Sequence, residues 1–288
     1  LPQIFWYTNS DFNNAVMSMK IFNLKFLFTY INYLFVFMKN TLSIFEIKNK
    51  NILISGACGE IGNDIIKFLH DGGAKIFAFD NNKLDLKKIS KINPNINYFY
   101  SDICDENLLT KQLKQITLSK IKFDAVINTA GIFSKGPTSK LNIDSYRRVL
   151  EVNLTGALIF SKVCSNFLNQ NDGRIIHIAS VSSLVANPEY AAYSTSKAGL
   201  AQLIKILANE WADRKILVNG IGPAMINGKL AKKYLRNDRF KSNALSSIPL
   251  KRFCKTSDLF GTILLLISDA GRFITGQTIY IDGGRTIK

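Results

Sequence analysis

The segment from Asn51 to Gly62 constrains the fold of this 288-residue chain more than any other. A short apolar run, Asn51–Ser55, passes directly into Gly56-Ala57-Cys58-Gly59-Glu60-Ile61-Gly62, and the residues after it carry helical periodicity. Glycines let a chain turn within a few residues and let backbone N–H groups approach whatever lies over the turn. The helix start adds a partial positive charge. A strand ending in such a turn, with a helix starting from it, opens a βαβ unit whose next strand runs parallel to the first. The turn reads either as an ordinary tight turn or, as its place between strand and helix favours, as a cradle for a pyrophosphate expected from Gly56, Cys58, Gly59, Glu60, Ile61 and Gly62.

The rest of the chain repeats that alternation. Strands are expected at Asn51–Ser55, Lys75–Phe79, Ile96–Tyr100, Ala125–Thr129, Arg174–Ala179, Ile216–Gly220 and Thr278–Ile281. Helices are expected at Ile61–His70, Glu106–Gln115, Ile143–Asn169, Tyr190–Arg214 and Ser257–Ser268. The apolar runs in the strands are continuous and not alternating, as in strands covered on both faces. This order predicts an α/β fold: a doubly wound, Rossmann-type parallel sheet of about seven strands with right-handed crossovers. No repeat or low-complexity linker interrupts residues 41–288, which read as a single domain.

Composition narrows the class. An apolar fraction of 47% supplies a full core and excludes global disorder. The net charge of +16 raises the question of nucleic acid or a membrane surface. The lysines are scattered and no nucleic-acid motif accompanies them, so the expectation is a basic surface and no nucleic-acid partner. Cys58, Cys104, Cys164 and Cys254 show no CxxC spacing, and His70 and His177 are the only histidines. No metal site or disulfide framework is expected, and free thiols suit a reducing cytoplasm. His70, near the end of the first helix, reads as a C-terminal cap, and His177, inside a strand, as a packed core histidine.

Residues 1–40 form an N-terminal extension. Ile21–Met38 is apolar and aromatic with Lys25 its only charge. As a helix it would rise about 27 Å, near the minimum for a bilayer. Two readings follow: translation starting at Met38, or a membrane anchor. The expectation is the first, with a cytoplasmic catalytic domain. An anchor would leave that domain on the same side, because Lys39, Lys48 and Lys50 flank the run.

Asp80 closes the second expected strand. An acid there accepts hydrogen bonds from the adenosine ribose hydroxyls and repels a 2′-phosphate. Asn81 and Asn82 follow it, with no Arg to receive that phosphate. The expected cofactor is therefore NAD, in preference to NADP.

From about Leu42 to Gly284 the chain resembles the compact branch of the short-chain dehydrogenase/reductase family. Asn128-Thr129-Ala130-Gly131 resembles that family's stretch after the fourth strand, and Asp102, with Ile103 next to it, falls where the family has an Asp near the adenine ring. Asn153 matches the active-site Asn, Ser180 the catalytic Ser at the end of the fifth strand, and Tyr193 and Lys197 the Tyr-x-x-x-Lys signature. Val218-Asn219-Gly220-Ile221-Gly222-Pro223 matches the stretch meeting the nicotinamide, and Asp282-Gly283-Gly284 the usual ending. The resemblance implies a catalytic set of Asn153, Ser180, Tyr193 and Lys197. It implies cofactor contacts from the glycine turn, Asp80, Asp102, Ile103, Asn128, Ala130, Gly131, Tyr193, Lys197 and Pro223. A homodimer or homotetramer is implied too, with Ile143–Asn169 and Tyr190–Arg214 as interface helices.

Two positions depart from the family. Glu60 stands where the compact branch has its second glycine, and Ala224 where a Gly often follows the Pro. The glycine spacing is closer to the sugar-nucleotide epimerase and dehydratase branch. That branch needs a sizeable C-terminal substrate domain, and only 95 residues follow Tyr193.

The chemistry follows from spacing. Tyr193 and Lys197, four apart on a helix, share a face. A free phenol titrates near ~10, and an ammonium beside it is expected to lower that value into the working range of an acid/base. Tyr193 would protonate a carbonyl oxygen as hydride arrives, or deprotonate an alcohol in reverse. Ser180 would hydrogen-bond the substrate oxygen, Lys197 the nicotinamide ribose, and Asn153 a relay water. The expected function is hydride transfer between NAD(H) and a carbonyl or secondary alcohol. The alternatives are an epimerase or dehydratase holding its NAD, and a dinucleotide-binding protein without turnover. Between Pro223 and Pro249, where the family has a lid, lie Lys229, Lys232, Lys233, Arg236, Arg239 and Lys241 against one acid, Asp238. This charge reads either as a solvated face or as recognition of an anionic substrate.

Overall fold

The computed structural model describes residues 43–170, 172–228, 231 and 234–287, together with Met17, Thr29 and Tyr30. The chain divides into two compact units, Leu1–Glu46 and Ile47–Lys288. In the first, Thr29 and Tyr30 are helical and exposed. Otherwise the Ile21–Met38 run lies outside the described residues, as do Lys229, Lys232 and Lys233. Among the described residues no helix is long and apolar enough to cross a membrane.

The second unit is built on seven parallel strands: β1 (Asn51–Ser55), β2 (Lys75–Asp80), β3 (Asn97–Tyr100), β4 (Ala125–Asn128), β5 (Gly173–Ile178), β6 (Ile216–Pro223) and β7 (Thr278–Ile281). Their order across the sheet is 3-2-1-4-5-6-7. The helices are α1 (Glu60–Asp71), α2 (Lys83–Ile92), α3 (Glu106–Thr117), α4 (Ile143–Leu150), α5 (Gly156–Cys164), α6 (Ala191–Glu210), α7 (Asp238–Ser246) and α8 (Phe260–Ile267). The chain winds outward from β1 to β3, then returns to the other side of β1 as β4. The crevice between the carboxyl ends of β1 and β4 is the switch point where doubly wound sheets bind ligands.

Both faces of the sheet are covered, which is why apolar residues run continuously along the strands instead of alternating. On one face Ile52, Ile54, Ile76 and Ile127 pack with Ile65 and Leu69 of α1 and Ile263 and Leu266 of α8. On the other, Leu53, Phe77, Val126 and Val218 pack with Leu109 of α3, Phe160 of α5 and Ile204 of α6. Alternate residues of one strand thus serve two cores, and each fully buried side chain of this size contributes roughly 1.5–3 kcal/mol.

The helices differ from the sequence reading in three places. Ile143–Asn169 is not one helix: α4 and α5 are separated by a π-helical turn, Glu151–Thr155, and α5 ends at Cys164. Leu168 then bridges to Phe123. Two helices were not anticipated, α2 and α7. Their apolar stripes are thin, with Leu86 the only buried residue of α2 and none in α7. Their caps mark them instead: the Asn82 side chain accepts the Asp85 N–H, and that of Asn237 accepts the Phe240 N–H. The end of α1 is closed by the backbone, with Gly72 N–H on Phe68 O and Gly73 N–H on His70 O, and not by the His70 ring.

Candidate active site

The glycine turn forms a close-packed cradle. Gly56 has φ +76°, and a Cβ there would lie 2.7 Å from Ala130 N. A Cβ on Gly62 would lie 2.2 Å from Gly56 O, so only glycine lets α1 approach β1 this closely. Helices α2, α3, α4 and α7 begin at side-chain caps from Asn82, Asp105, Asn142 and Asn237. Helix α1 begins at Gly59 with no side-chain cap. Helices α5, α6 and α8 also lack a side-chain cap, but α1 is the one that starts from the glycine turn, which leaves its first-turn N–H groups for an anion. These features fit the diphosphate of a dinucleotide. Glu60 turns its carboxylate toward the segment after β6. A Cβ on Gly228 would lie 2.5 Å from Glu60 Oε2, so glycine at 228 accommodates the acid at 60.

Asp80 stands at the end of β2 beside the turn. Its Oδ2 accepts the Cys58 N–H at 2.9 Å and its Oδ1 the Asn82 N–H at 2.9 Å. Each oxygen keeps acceptor capacity for a ribose hydroxyl. Asp102 accepts from Asn81 Nδ2 at 3.0 Å and from Cys104 N at 2.9 Å. Burial raises its pKa, but these bonds outweigh burial and leave the carboxyl below the usual range. Ile103 is buried against the other core cluster.

Asn128 serves the frame beneath the crevice. Its Oδ1 accepts Ser55 Oγ–H at 2.7 Å and Ala130 N–H at 3.1 Å. Its Nδ2 lies 3.4 Å from His177 Nδ1, and His177 Nε2 lies 2.9 Å from Ser161 Oγ. Ser161 donates its one hydroxyl proton to Ala157 O at 2.8 Å, so it accepts from His177. This assigns His177 the Nε2–H tautomer. Burial, with repulsion from Lys197, pushes the imidazole down to about 3, so it is neutral. His177 is a satisfied core histidine, as its sequence position suggested.

The four candidate catalytic residues come together from three elements. Ser180 follows β5, and its Oγ accepts the Ser182 N–H at 3.1 Å. Tyr193 and Lys197 sit in the first turns of α6, with Lys197 Nζ 5.8 Å from the phenol ring centre. Lys197 Nζ donates to Ile178 O at 2.7 Å. Asn153 lies in the π-helical turn. Its Oδ1 accepts Ile132 N–H at 2.8 Å, and its Nδ2 donates to Ile132 O at 2.9 Å and Ser196 Oγ at 3.0 Å. The Asn153 side chain therefore pins the loop after β4 to α6. Gly131 lets that loop close in, since a Cβ there would meet Asn153 Oδ1 at 3.3 Å and Lys197 Nζ at 3.6 Å.

The electrostatics correct one expectation. Lys197 was expected to lower the Tyr193 pKa. Instead burial raises the phenol, with a Ser180 hydrogen bond pulling the other way. Burial also brings Lys197 down to about 8. The ammonium is turned to the Ile178 carbonyl, and desolvation outweighs its field at the ring.

A cavity of about 460 Å³ opens over this set. Ser180, Tyr193 and Lys197 line it, together with Gly131 and Pro223. Its far wall is aromatic: Phe133 packs edge-on against Tyr190, Tyr193 and Tyr234 at 5.0, 4.9 and 5.3 Å. Phe240 of α7, Asn187 and Arg285 complete it. None of these wall residues was singled out from sequence except Tyr193. The double glycine before Arg285 is the one signal that points to its neighbourhood. Arg236, Arg239 and Lys241 of the lid segment are exposed and lie off the cavity wall, as a solvated face does.

Known proteins resemble this chain over most of its length. The family model described as Enoyl-(Acyl carrier protein) reductase matches residues 56–286. The chain is 32% identical over 241 residues to the 3-oxoacyl-[acyl-carrier-protein] reductase FabG of Rickettsia felis, covering 83% of this chain and 98% of that protein. It is 30% identical over 247 residues to the NAD-dependent glycerol dehydrogenase of Listeria innocua, covering 85% and 96%. Among solved structures, a short-chain type dehydrogenase/reductase from Mycobacterium marinum superposes with a TM-score of 0.77 at 26% identity, covering 86% of this chain and 99% of that one.

Proposed function

Because the chain belongs to the short-chain dehydrogenase/reductase family, we propose that it is an NAD(H)-dependent oxidoreductase interconverting a carbonyl compound and the corresponding secondary alcohol. The observation that carries this reading is the convergence of Ser180, Tyr193 and Lys197 on one cavity beside an uncapped, glycine-cradled helix start. Gly56, Gly59 and Gly62 and the first turn of α1 would hold the diphosphate, and Asp80 the adenosine ribose. The dinucleotide supplies or accepts the hydride at the substrate carbon.

The chain's own groups handle the proton. In reduction, Ser180 Oγ–H steadies the carbonyl oxygen and Tyr193 gives it the phenolic proton as charge develops there. In oxidation, Tyr193 takes the proton back from the alcohol. With its pKa raised the phenol stays protonated at neutral pH, so it holds the proton that reduction consumes. Lys197, held on Ile178 O and brought down to about 8 by burial, lies on the same wall and would reach the nicotinamide ribose. Asn153 positions the Gly131–Ile132 loop against α6; with both Nδ2 hydrogens committed, it would hold a relay water as an acceptor only.

The NAD-dependent relative and the pair of free acceptor sites on Asp80 support NAD over NADP. Ile143, Leu158 and Ile206 are exposed apolar residues on α4, α5 and α6, which supports the reading of a homo-oligomer through these helices. The buried, unbridged thiols of Cys164 and Cys254 suit a cytoplasmic setting. The test is turnover of NADH and NADPH, separately, against a panel of ketones, oxo acids and oxo esters. A protein that binds NADH and turns over none of them would sink the assignment.

A further inference from the structure

The turn that closes the sheet is organised to deliver one side chain. After β7, Gly283 and Gly284 take φ +60° and +86°, a combination that other residues adopt only under strain. A Cβ on either would lie 2.9 Å from Ile248 or Pro249, so the turn packs tightly on the segment that follows α7. Asp282 is consumed by the turn itself: its carboxylate accepts Gly284 N–H at 2.9 Å, Thr286 N–H at 2.7 Å and Thr286 Oγ–H at 2.7 Å. The next residue, Arg285, lines the active-site cavity.

Its guanidinium has one hydrogen bond there, from Nη2 to Asn187 Oδ1 at 3.3 Å. Asn187 is itself held, its Nδ2 donating to Ser182 Oγ at 3.2 Å and Val185 O at 3.4 Å. Among the described residues Arg285 forms no ion pair. The other cations of the wall are engaged. Lys135 pairs with Glu189 at 3.0 Å and lies 4.3 Å over the Phe240 ring, and Lys197 is bound to Ile178 O. One guanidinium with donors in hand therefore faces a cavity that also contains the acid/base and the carbonyl-steadying hydroxyl. A fork of N–H donors is matched by the paired oxygens of a carboxylate or phosphate.

We propose that Arg285 selects the substrate by receiving the anionic group, carboxylate or phosphate, of a small carbonyl compound whose C=O lies at Ser180 and Tyr193. This rests on the reading of the site as a carbonyl-reducing centre. It places anion recognition on the wall of the cavity and not on the basic outer face of the lid.

The experiment compares matched probes in wild type and Arg285→Gln: acetoacetate against methyl acetoacetate, and dihydroxyacetone phosphate against dihydroxyacetone. Wild type should favour the charged member of one pair by about 10- to 100-fold in kcat/KM, the scale of a charge-assisted hydrogen bond. Which pair shows it separates carboxylate from phosphate. In Arg285→Gln the charged-to-neutral ratio should collapse toward one, mainly through KM, with NADH affinity retained. Arg285→Lys should fall between, keeping the charge and losing the fork. A wild-type enzyme indifferent to charge, or a preference that survives Arg285→Gln, overturns the proposal. Should Arg285→Gln not fold, Asn187→Asp supplies the guanidinium with an internal carboxylate, and its charged-to-neutral ratio should collapse in the same way. If no probe is turned over, the oxidoreductase reading fails, and anion binding is then read directly. Titrating acetoacetate and dihydroxyacetone phosphate against the NADH complex by nicotinamide fluorescence should show binding to wild type that Arg285→Gln loses. Equal binding by both proteins, or none by either, overturns it.

Discussion

From β3 across to β4 the carboxyl edge of the sheet is organised around a backbone turn, whereas from β5 to β7 it presents side chains. The first half is the glycine turn, the bare start of α1 and two acids whose oxygens are partly taken by N–H groups. The second is Ser180, Tyr193, Lys197, an aromatic wall and Arg285. A backbone-built site recognises what all dinucleotides share and leaves no room for an added atom. A side-chain site tolerates exchange structurally and changes its chemistry when exchanged. The two halves should therefore fail in opposite ways.

The sharpest contrast comes from Tyr193→Phe. Removing one hydroxyl leaves the packing against Phe133, so stability and NADH affinity should hold while kcat falls by about 10²- to 10⁴-fold. Wild-type turnover in this variant would falsify the acid/base assignment. Gly62→Ala should do the reverse. Its Cβ meets Gly56 O, and the overpacking should cost about 1–3 kcal/mol, seen as a lower Tm and weaker NADH binding. At saturating NADH its kcat should approach wild type; an unchanged Tm and NADH affinity would refute a close-packed cradle.

Asp80→Ala tests the one place in the cofactor half where a side chain is expected to choose. The ratio of kcat/KM with NADH to that with NADPH should fall by about tenfold, the scale of a charged hydrogen bond. The Cys58 N–H also loses its partner, so part of the loss should appear with both cofactors. A wild-type preference for NADPH would remove the basis for this choice.

The smallest expected effect concerns pH. His177 is held near 3 in the fold against 6.5 when free. Between those values the unfolded chain takes up a proton that the folded chain refuses, so stability is intact above pH 6.5 and declines as pH falls through that window. His177→Gln, which removes the titration, should show a shallower acid-side fall in Tm. Lys197 acts at the other end: the fold brings it from 10.5 to about 8, so stability should rise as pH climbs between those values. Parallel Tm profiles for wild type and His177→Gln below pH 6.5 would show that other groups set the acid limit.

The same contrast explains what could be read from sequence. A backbone that must turn at positive φ or pack without a Cβ leaves glycine as its mark, so Gly56 and Gly62 were legible. Tyr193 and Lys197 were legible because helical spacing puts them on one face. The far wall was not. Phe133, Asn187, Tyr234 and Arg285 come from four separate segments, and only the closed fold brings them to one cavity. The π-helical turn at Glu151–Thr155 contains no Gly or Pro to break the helical pattern, so α4 and α5 read as one helix. The direction of the Tyr193 shift depends on how deeply the phenol is buried and where Lys197 points, neither of which spacing records.

The buried chain Ser55–Asn128–His177–Ser161 has a consequence for how the strands find their places. It runs from β1 through β4 and β5 to α5, across the carboxyl ends of strands whose buried residues are mostly apolar. Apolar strands of this kind offer little to distinguish one register from the next. A one-residue slip of β4 would turn Asn128 to the opposite face and leave Ser55, Ala130 N–H and His177 without their partner. Each orphaned buried group costs about 1–3 kcal/mol. The penalty falls only on misaligned pairings, so these polar residues act as an alignment check at the switch point.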